Sequence, residues 1–271
     1  MLTKIVFITA RQTRIRESAM ERDEWQARRD LAACYRLVAR MGLDDLIYNH
    51  ISMRVPGTDD QFLINPYGML FEEITASSLV RIDLEGRKLD DSPYDVNAAG
   101  FVIHGAIHQA RPDAHCVLHV HSEATVSVSS QKGGLLPLSQ FAMWFWGRQG
   151  FHDYEGVALE MGERARIIDD MGDNPVLLMR NHGLLTVGRQ PSEAFMMLYY
   201  FEKAARIQLR LQAAAASGPE AAICVPAPAI CDRAASQFWN RSGDILPPGQ
   251  REWNGLLRQL ERDGATPDYR L

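Results

Sequence analysis

Residues 116–121 read Cys-Val-Leu-His-Val-His. A side-chain period of two belongs to a strand, so His119 and His121 project from the same face. No other feature constrains the fold as tightly. Two imidazoles side by side on a strand can share one ion, at nitrogen–metal distances of about 2.0–2.1 Å for zinc. A third ligand has to come from another element. His182 is the candidate: it follows a second apolar run, Val176-Leu177-Leu178-Met179, and precedes Gly183, which permits a sharp turn. Taken alone, a His-x-His pair also fits two half-exposed strand residues bonded to their neighbours. The Asn181-His182-Gly183 turn after a second strand tips the reading towards a metal site.

The rest of the chain mixes two periodicities. Helical spacing runs over 24–41, with Leu31, Cys34, Tyr35 and Val38 on one stripe, and stops at Gly42. Segments 49–55 and 61–65 are short and alternating, joined by the turn Pro56-Gly57-Thr58-Asp59-Asp60, and predict antiparallel strands. Segment 79–84 predicts another strand. A helix is predicted over 96–109, a strand over 116–121, a helix from Glu123 and another over 156–171. A strand pair is predicted over 176–180 and 184–187, then a long helix over 191–216 with Pro191 in its first turn. The mixture predicts a layered α/β or α+β domain.

Composition bounds the organisation. A chain of 271 residues, 46% of them hydrophobic, is long enough for a sizeable core. Residues 1–22 differ in character from the rest of the chain and are set apart as an N-terminal arm; disorder and a true start at Met20 are the two readings of it. Residues 23–216 form the main domain. Ser217-Gly218-Pro219 breaks the long helix, an Ala/Pro linker comes next, and helical pieces over 229–239 and 250–261 make a tail. Residues 217–271 are too few for a strong core of their own, so the tail is expected to dock on the domain or on a neighbouring subunit.

A net charge of −5 with charges interspersed argues against a nucleic-acid partner. No stretch of about 18 apolar residues exists, so no membrane span is expected. Cys34, Cys116, Cys224 and Cys231 lack CxxC spacing and read as reduced thiols of a cytoplasmic protein.

Six segments together resemble the class II aldolase/adducin superfamily. They are Tyr48-Asn49-His50-Ile51-Ser52, Leu63-Ile64-Asn65-Pro66-Tyr67-Gly68, Glu73-Ile74-Thr75-Ala76-Ser77-Ser78-Leu79-Val80, Phe101-Val102-Ile103-His104-Gly105-Ala106-Ile107-His108, His119-Val120-His121-Ser122 and Arg180-Asn181-His182-Gly183-Leu184. They occur in the family's order over roughly residues 25–215, with wording closer to the adducin-like bacterial branch than to the sugar-phosphate aldolases. The resemblance implies a three-layer α/β/α domain on a mostly antiparallel sheet and a homotetramer with sites at subunit interfaces. It also implies one divalent metal ion, zinc ahead of manganese or iron, held by His119, His121 and His182. In such sites the ion acts as a Lewis acid and stabilises an enediolate as a carbon–carbon bond breaks.

Two departures matter. Family aldolases carry Ser-Ser-Glu on the helix that holds the position of His104. Those residues map to Ala98, Ala99 and Gly100, so the expected acid/base and part of the phosphate cradle are missing. A substrate without phosphate fits better. His104 lies one helical turn after Gly100 and is a candidate proton shuttle or support for the ligands; the alternative is a core histidine, as expected for His108. Glu123 is a candidate catalytic group or simply a first-turn acid favoured by the helix dipole. Tyr154 is a candidate acid, with His152 as its substitute. Asn49, Ser52 and Gly68 are the candidate substrate-binding residues. Phe141, Trp144, Phe145 and Trp146 read as core or tetramer packing residues, with an aromatic substrate pocket as the alternative.

The function expected from this set is a metal-dependent lyase, an aldolase or decarboxylase acting on a non-phosphorylated hydroxy- or oxo-acid. The alternatives are a non-catalytic adducin-like assembly module and a non-haem iron oxygenase on the same three histidines.

Overall fold

The computed structural model describes residues 2–156, 162–218, 221–239, 249–262 and 267–271. Seven strands form one sheet: β1 (His50–Arg54), β2 (Gln61–Ile64), β3 (Val80–Asp83), β4 (Cys116–Val120), β5 (Gln149–His152), β6 (Val176–Met179) and β7 (Gly183–Gly188). Their order is β3-β2-β1-β4-β7-β6-β5. All neighbours are antiparallel except β5 and β6. The mostly antiparallel sheet implied by the resemblance is therefore present, and so are the three layers.

Alternation along the central strands builds those layers. Leu118 and Val120 of β4 join the core under α1 (Leu2–Arg40) and α5 (Pro191–Ala215), with Leu31, Val38, Phe195 and Phe201. Val117 faces the other way, into a cluster with Ile103, Ala106 and Ile107 of α2 (Ala98–Ala110) and Ile167 and Met171 of α4 (Glu163–Met171). A strand covered on both faces reads as continuously apolar, and β4 is buried along its whole length. His119 interrupts that pattern on the α2 side.

Helix α1 starts well before the 24–41 stretch that the periodicity indicates. Residues 2–41 contain no glycine or proline to stop it, and the chain turns at Gly42, where φ is +62°. The segment set apart as an arm thus continues the helix. Strand β5 is not expected from the sequence, because its four residues lie inside a stretch without strand alternation. Of the helix expected over 156–171, residues 157–161 lie outside the described residues.

The tail docks on its own domain. Helix α6 (Pro228–Trp239) covers the 3-10 turn Gln140–Phe145, where Trp239 Nε1 donates to the Trp144 carbonyl at 2.8 Å and Trp146 Nε1 to Asp232 at 2.7 Å. In α7 (Gln250–Arg262), buried Trp253 sets its ring edge-on to Phe195 of α5. The amides of Ala76 and Ser77 donate to the carbonyls of Tyr269 (2.8 Å) and Leu271 (2.7 Å). Among the described residues, no helix is long and apolar enough to cross a membrane.

Candidate metal centre

The three expected ligands converge. His119 sits mid-sheet, fully enclosed, and its Nδ1 donates to the Leu184 carbonyl of β7 at 3.0 Å. His121 lies one residue past the end of β4. Its Nδ1 donates to Asp45 Oδ2 at 3.0 Å, from the loop after α1. His182 sits in the tight β6–β7 turn, where its amide donates to the Met179 carbonyl at 3.1 Å.

That turn depends on two unusual backbones, Asn181 at φ +57° and Gly183 at φ +155°. A Cβ on Gly183 would stand 2.3 Å from the Val120 carbonyl oxygen, so only glycine lets the chain return against β4 here. Arg180 pins the approach to the turn by donating to the carbonyls of Ser129, Gln131 and Lys132 at 3.2, 2.5 and 3.2 Å.

Hydrogen bonds to acceptors fix the protons of two of the three rings. A carbonyl and a carboxylate can only accept, so His119 and His121 both carry their proton on Nδ1. Both Nε2 atoms are then bare lone pairs, and they face each other at 2.9 Å. Lone pairs at that distance repel unless a cation lies between them. The Nε2 atoms of His119 and His182 are 3.3 Å apart. Two nitrogens each about 2.1 Å from one ion are about 3.0 Å apart at a right angle and about 3.4 Å apart at the tetrahedral angle. Both distances are those of nitrogens sharing one ion, and the three donor atoms lie within 4.8 Å of one another, a set that three imidazoles can close on a single divalent ion by small side-chain shifts.

Electrostatics agree. Burial, and then the neighbouring imidazoles, push the pKa of His119 well below the usual range and that of His182 down to about 4. Both are neutral at neutral pH, the form that binds metal.

Residues 29–209 match the model of the Class II Aldolase and Adducin N-terminal domain. A Pseudomonas aeruginosa protein named as an aldolase class 2 protein is 48% identical over 250 residues, covering 91% of this chain and 93% of that protein. The crystal structure of an aldolase II superfamily protein from Pseudomonas syringae superposes with a TM-score of 0.83 at 44% identity, covering 92% of this chain and 96% of that one. Rat alpha-adducin is 38% identical over 265 residues, spanning 93% of this chain but 35% of the adducin.

The chain belongs to the class II aldolase and adducin family.

Class II aldolases use a divalent metal, and His119, His121 and His182 form a three-histidine cluster in this structure. The other residues singled out from sequence fall around this centre at different depths. Tyr154 is 57% exposed, with its ring centroid 6.5 Å from that of His182. Two residues earlier, His152 is buried between Asp170 (2.8 Å from Nδ1) and Glu163 (3.2 Å from Nε2), so its nitrogens are occupied. Glu123 is the first residue of α3 (Glu123–Ser129), which Ser122 caps by accepting from the Thr125 amide. It lines an open cleft of about 730 Å³ with His121, Asp45, Arg206 and Arg210. Asn49 is enclosed, and among the described residues neither its Oδ1 nor its Nδ2 meets a partner. Gly68 makes an open turn at φ +96°. Among the described residues, no hydrogen bond or ring contact joins Glu123, Asn49 or Gly68 to the three histidines.

His104 and Ser52 lie together, in hydrogen bonds that include none of the three ligands. His104 Nε2 is 2.8 Å from Nδ1 of His50, and its Nδ1 is 2.6 Å from Ser52 Oγ. Ser52 Oγ is also 2.7 Å from His108 Nε2, and His108 Nδ1 is 2.8 Å from the Ala114 carbonyl. His50 faces His119 across the β1–β4 register, with ring centroids 5.3 Å apart. Gly100 leaves room for it: a Cβ there would stand 2.6 Å from His50 Cδ2. Sequence reasoning singles out neither His50 nor Asp45. For His50 a signal is available: His50 and Ser52 share a strand face, and His104 and His108 share a helix face.

Proposed function

We propose that this chain is a metal-dependent carbon–carbon lyase, of aldolase or decarboxylase type, acting on a non-phosphorylated hydroxy- or oxo-acid. One observation carries the reading: two imidazole lone pairs held 2.9 Å apart with both Nδ1 protons committed elsewhere. A divalent ion bound there supplies Lewis acidity that polarises substrate oxygens.

The chain's own residues do the rest. Asp45 and the Leu184 carbonyl fix the orientation of the imidazoles, as outer partners of metal ligands do. Tyr154, exposed beside His182, is our candidate proton donor, and Glu123 on the rim of the cleft is a second. Gly100 offers no side chain at the position where family aldolases carry glutamate, and Ala98 and Ala99 offer no hydroxyls for a phosphate. Loss of that cradle is why we favour an unphosphorylated acid. We assign zinc first, manganese or iron after it, a homotetramer, and a cytoplasmic location in keeping with four free cysteines. Residues 23–216 are the proposed catalytic domain and 217–271 its docked tail.

The test is elemental analysis of protein purified without added ions or a histidine tag. About one divalent transition metal per chain is expected, followed by release of a carbonyl fragment or carbon dioxide from a hydroxy- or oxo-acid. Dioxygen consumption with ferrous iron in place of that release would indicate an oxygenase. Protein that fails to take up zinc, manganese or ferrous iron would overturn the lyase. It would favour the second reading, an adducin-like assembly module, which Gly100 and the similarity to alpha-adducin support.

A further inference from the structure

The contacts among His50, His104, Ser52 and His108 leave no freedom in where the protons sit. The chain of contacts ends on the Ala114 carbonyl, which can only accept. His108 must therefore carry its proton on Nδ1, so its Nε2 is bare and takes the Ser52 hydroxyl proton. With that proton spent, Ser52 Oγ must accept from Nδ1–H of His104. His104 Nε2 is then bare and must accept from Nδ1–H of His50. One ring remains, and its Nε2 is a lone pair. It lies against Gly100 in the first turn of α2 and meets no donor among the described residues.

Burial supports the neutral state that the counting requires. His50, His104, Ser52 and His108 are at most 4% exposed. Desolvation takes His108 down to about 3 and His104 well below the usual range. The far end being a carbonyl also settles what the ladder can do. A carbonyl cannot pass a proton onward, so the ladder is a lock on tautomers and not a conduit.

We propose that this buried His108–Ser52–His104 ladder is a positioning device that fixes His50 as the Nδ1–H tautomer. Its Nε2 is thereby a permanent hydrogen-bond acceptor beside the metal centre, recognising a hydroxyl donor of the substrate and disfavouring an anionic oxygen. The ligand half of this statement rests on the hydroxy-acid reading given above; the tautomer half does not. Histidine in water favours the opposite tautomer, with the proton on Nε2, so the ladder is needed to hold this one. A bare nitrogen opposite a carboxylate oxygen leaves two acceptors facing each other, which selects against an anionic oxygen at that point.

The test is long-range proton–nitrogen NMR on zinc-loaded full-length protein with labelled histidine. His50, His104 and His108 are all expected to be neutral with the proton on Nδ1; a proton on Nε2 of His50 overturns the proposal outright. Ser52→Ala removes the middle rung, and an Nε2–H population of His50 is expected to appear with zinc stoichiometry unchanged. An unchanged His50 signal in that variant would show that the ladder does not set the tautomer.

For the ligand half, glycolate is expected to move the His50 Nε2 signal, whereas acetate, which lacks the hydroxyl, moves only the signals of the three ligands. Equal effects of glycolate and acetate on His50 overturn the hydroxyl assignment. Glycolate that moves no ligand signal defeats the hydroxy-acid reading itself, and the hydroxyl assignment with it, while the tautomer result is decided independently.

Discussion

Two clusters of histidines lie side by side in this domain, and proximity alone does not tell them apart. His119, His121 and His182 bring their Nε2 atoms to within 2.9 and 3.3 Å; His50 and His104 approach to 2.8 Å. The difference is parity. In the ladder every contact joins a donor to an acceptor. In the triad, the Leu184 carbonyl and Asp45 consume the protons of His119 and His121, and two lone pairs face each other. The first cluster pairs every ring nitrogen except His50 Nε2, and the second leaves two lone pairs facing each other, the arrangement a cation between them would relieve. A group of histidines is thus diagnosed by counting protons rather than by counting rings.

Four experiments bear on that contrast. The largest effect is expected from the His119→Ala/His121→Ala protein, which should purify with no bound metal and lose the rise in melting temperature that zinc gives the wild type. Full metal stoichiometry in that variant would dissolve the distinction between the clusters.

Next comes Gly100→Ala. Helix propensity favours alanine by about 1 kcal/mol. The new Cβ, however, would meet a His50 ring that is hydrogen-bonded to His104 and set beside the His119 ring. Overpacking of that kind costs about 1–3 kcal/mol, so net destabilisation is expected in a denaturant titration. Adding His50→Ala should relieve the clash, and strictly additive effects would show that the two positions are not coupled.

Asp45→Asn keeps the shape of the loop but weakens the acceptor for His121. Zinc affinity should fall by about 10–100-fold, as for other outer partners of metal ligands, with the NMR signals of the ladder unmoved.

The smallest effect is on stability against pH. Burial holds His108 at about 3 in the folded state, against a usual value of 6.5. Between those values the unfolded chain takes up a proton that the folded chain refuses. Its contribution is therefore fully present above about pH 6.5 and declines as pH falls towards 3, at up to about 1.4 kcal/mol per pH unit. Metal-free protein melted at pH 7 and at pH 5 should be less stable at pH 5, and a flat profile would contradict the buried neutral ladder.

The triad is legible in the sequence because period two puts His119 and His121 on one face, and because a strand–Asn-His-Gly turn announces a reversal. The layers are legible for the same reason, since alternation and helical spacing are local. What escapes depends on partners far along the chain. His50 looks like any polar strand residue until β1 is registered against β4 and α2 is laid over it. Asp45 sits in a loop with no periodicity, 76 residues from the imidazole it holds. Strand β5 is four residues long, and its sheet neighbour among the described residues, β6, begins at Val176. The departure at Gly100 is visible as a missing carboxylate, but the ring that takes up its space is not.

The docking of the tail has a consequence for anyone who tracks this protein with light. Of its five tryptophans, Trp144, Trp146, Trp239 and Trp253 lie in or against the seats of α6 and α7. None of them is among the three histidines' ring contacts. Intrinsic emission will therefore report the detachment of the C-terminal helices and stay nearly silent while metal enters or leaves. A fluorescence melt and a metal-release curve on the same sample are two different clocks.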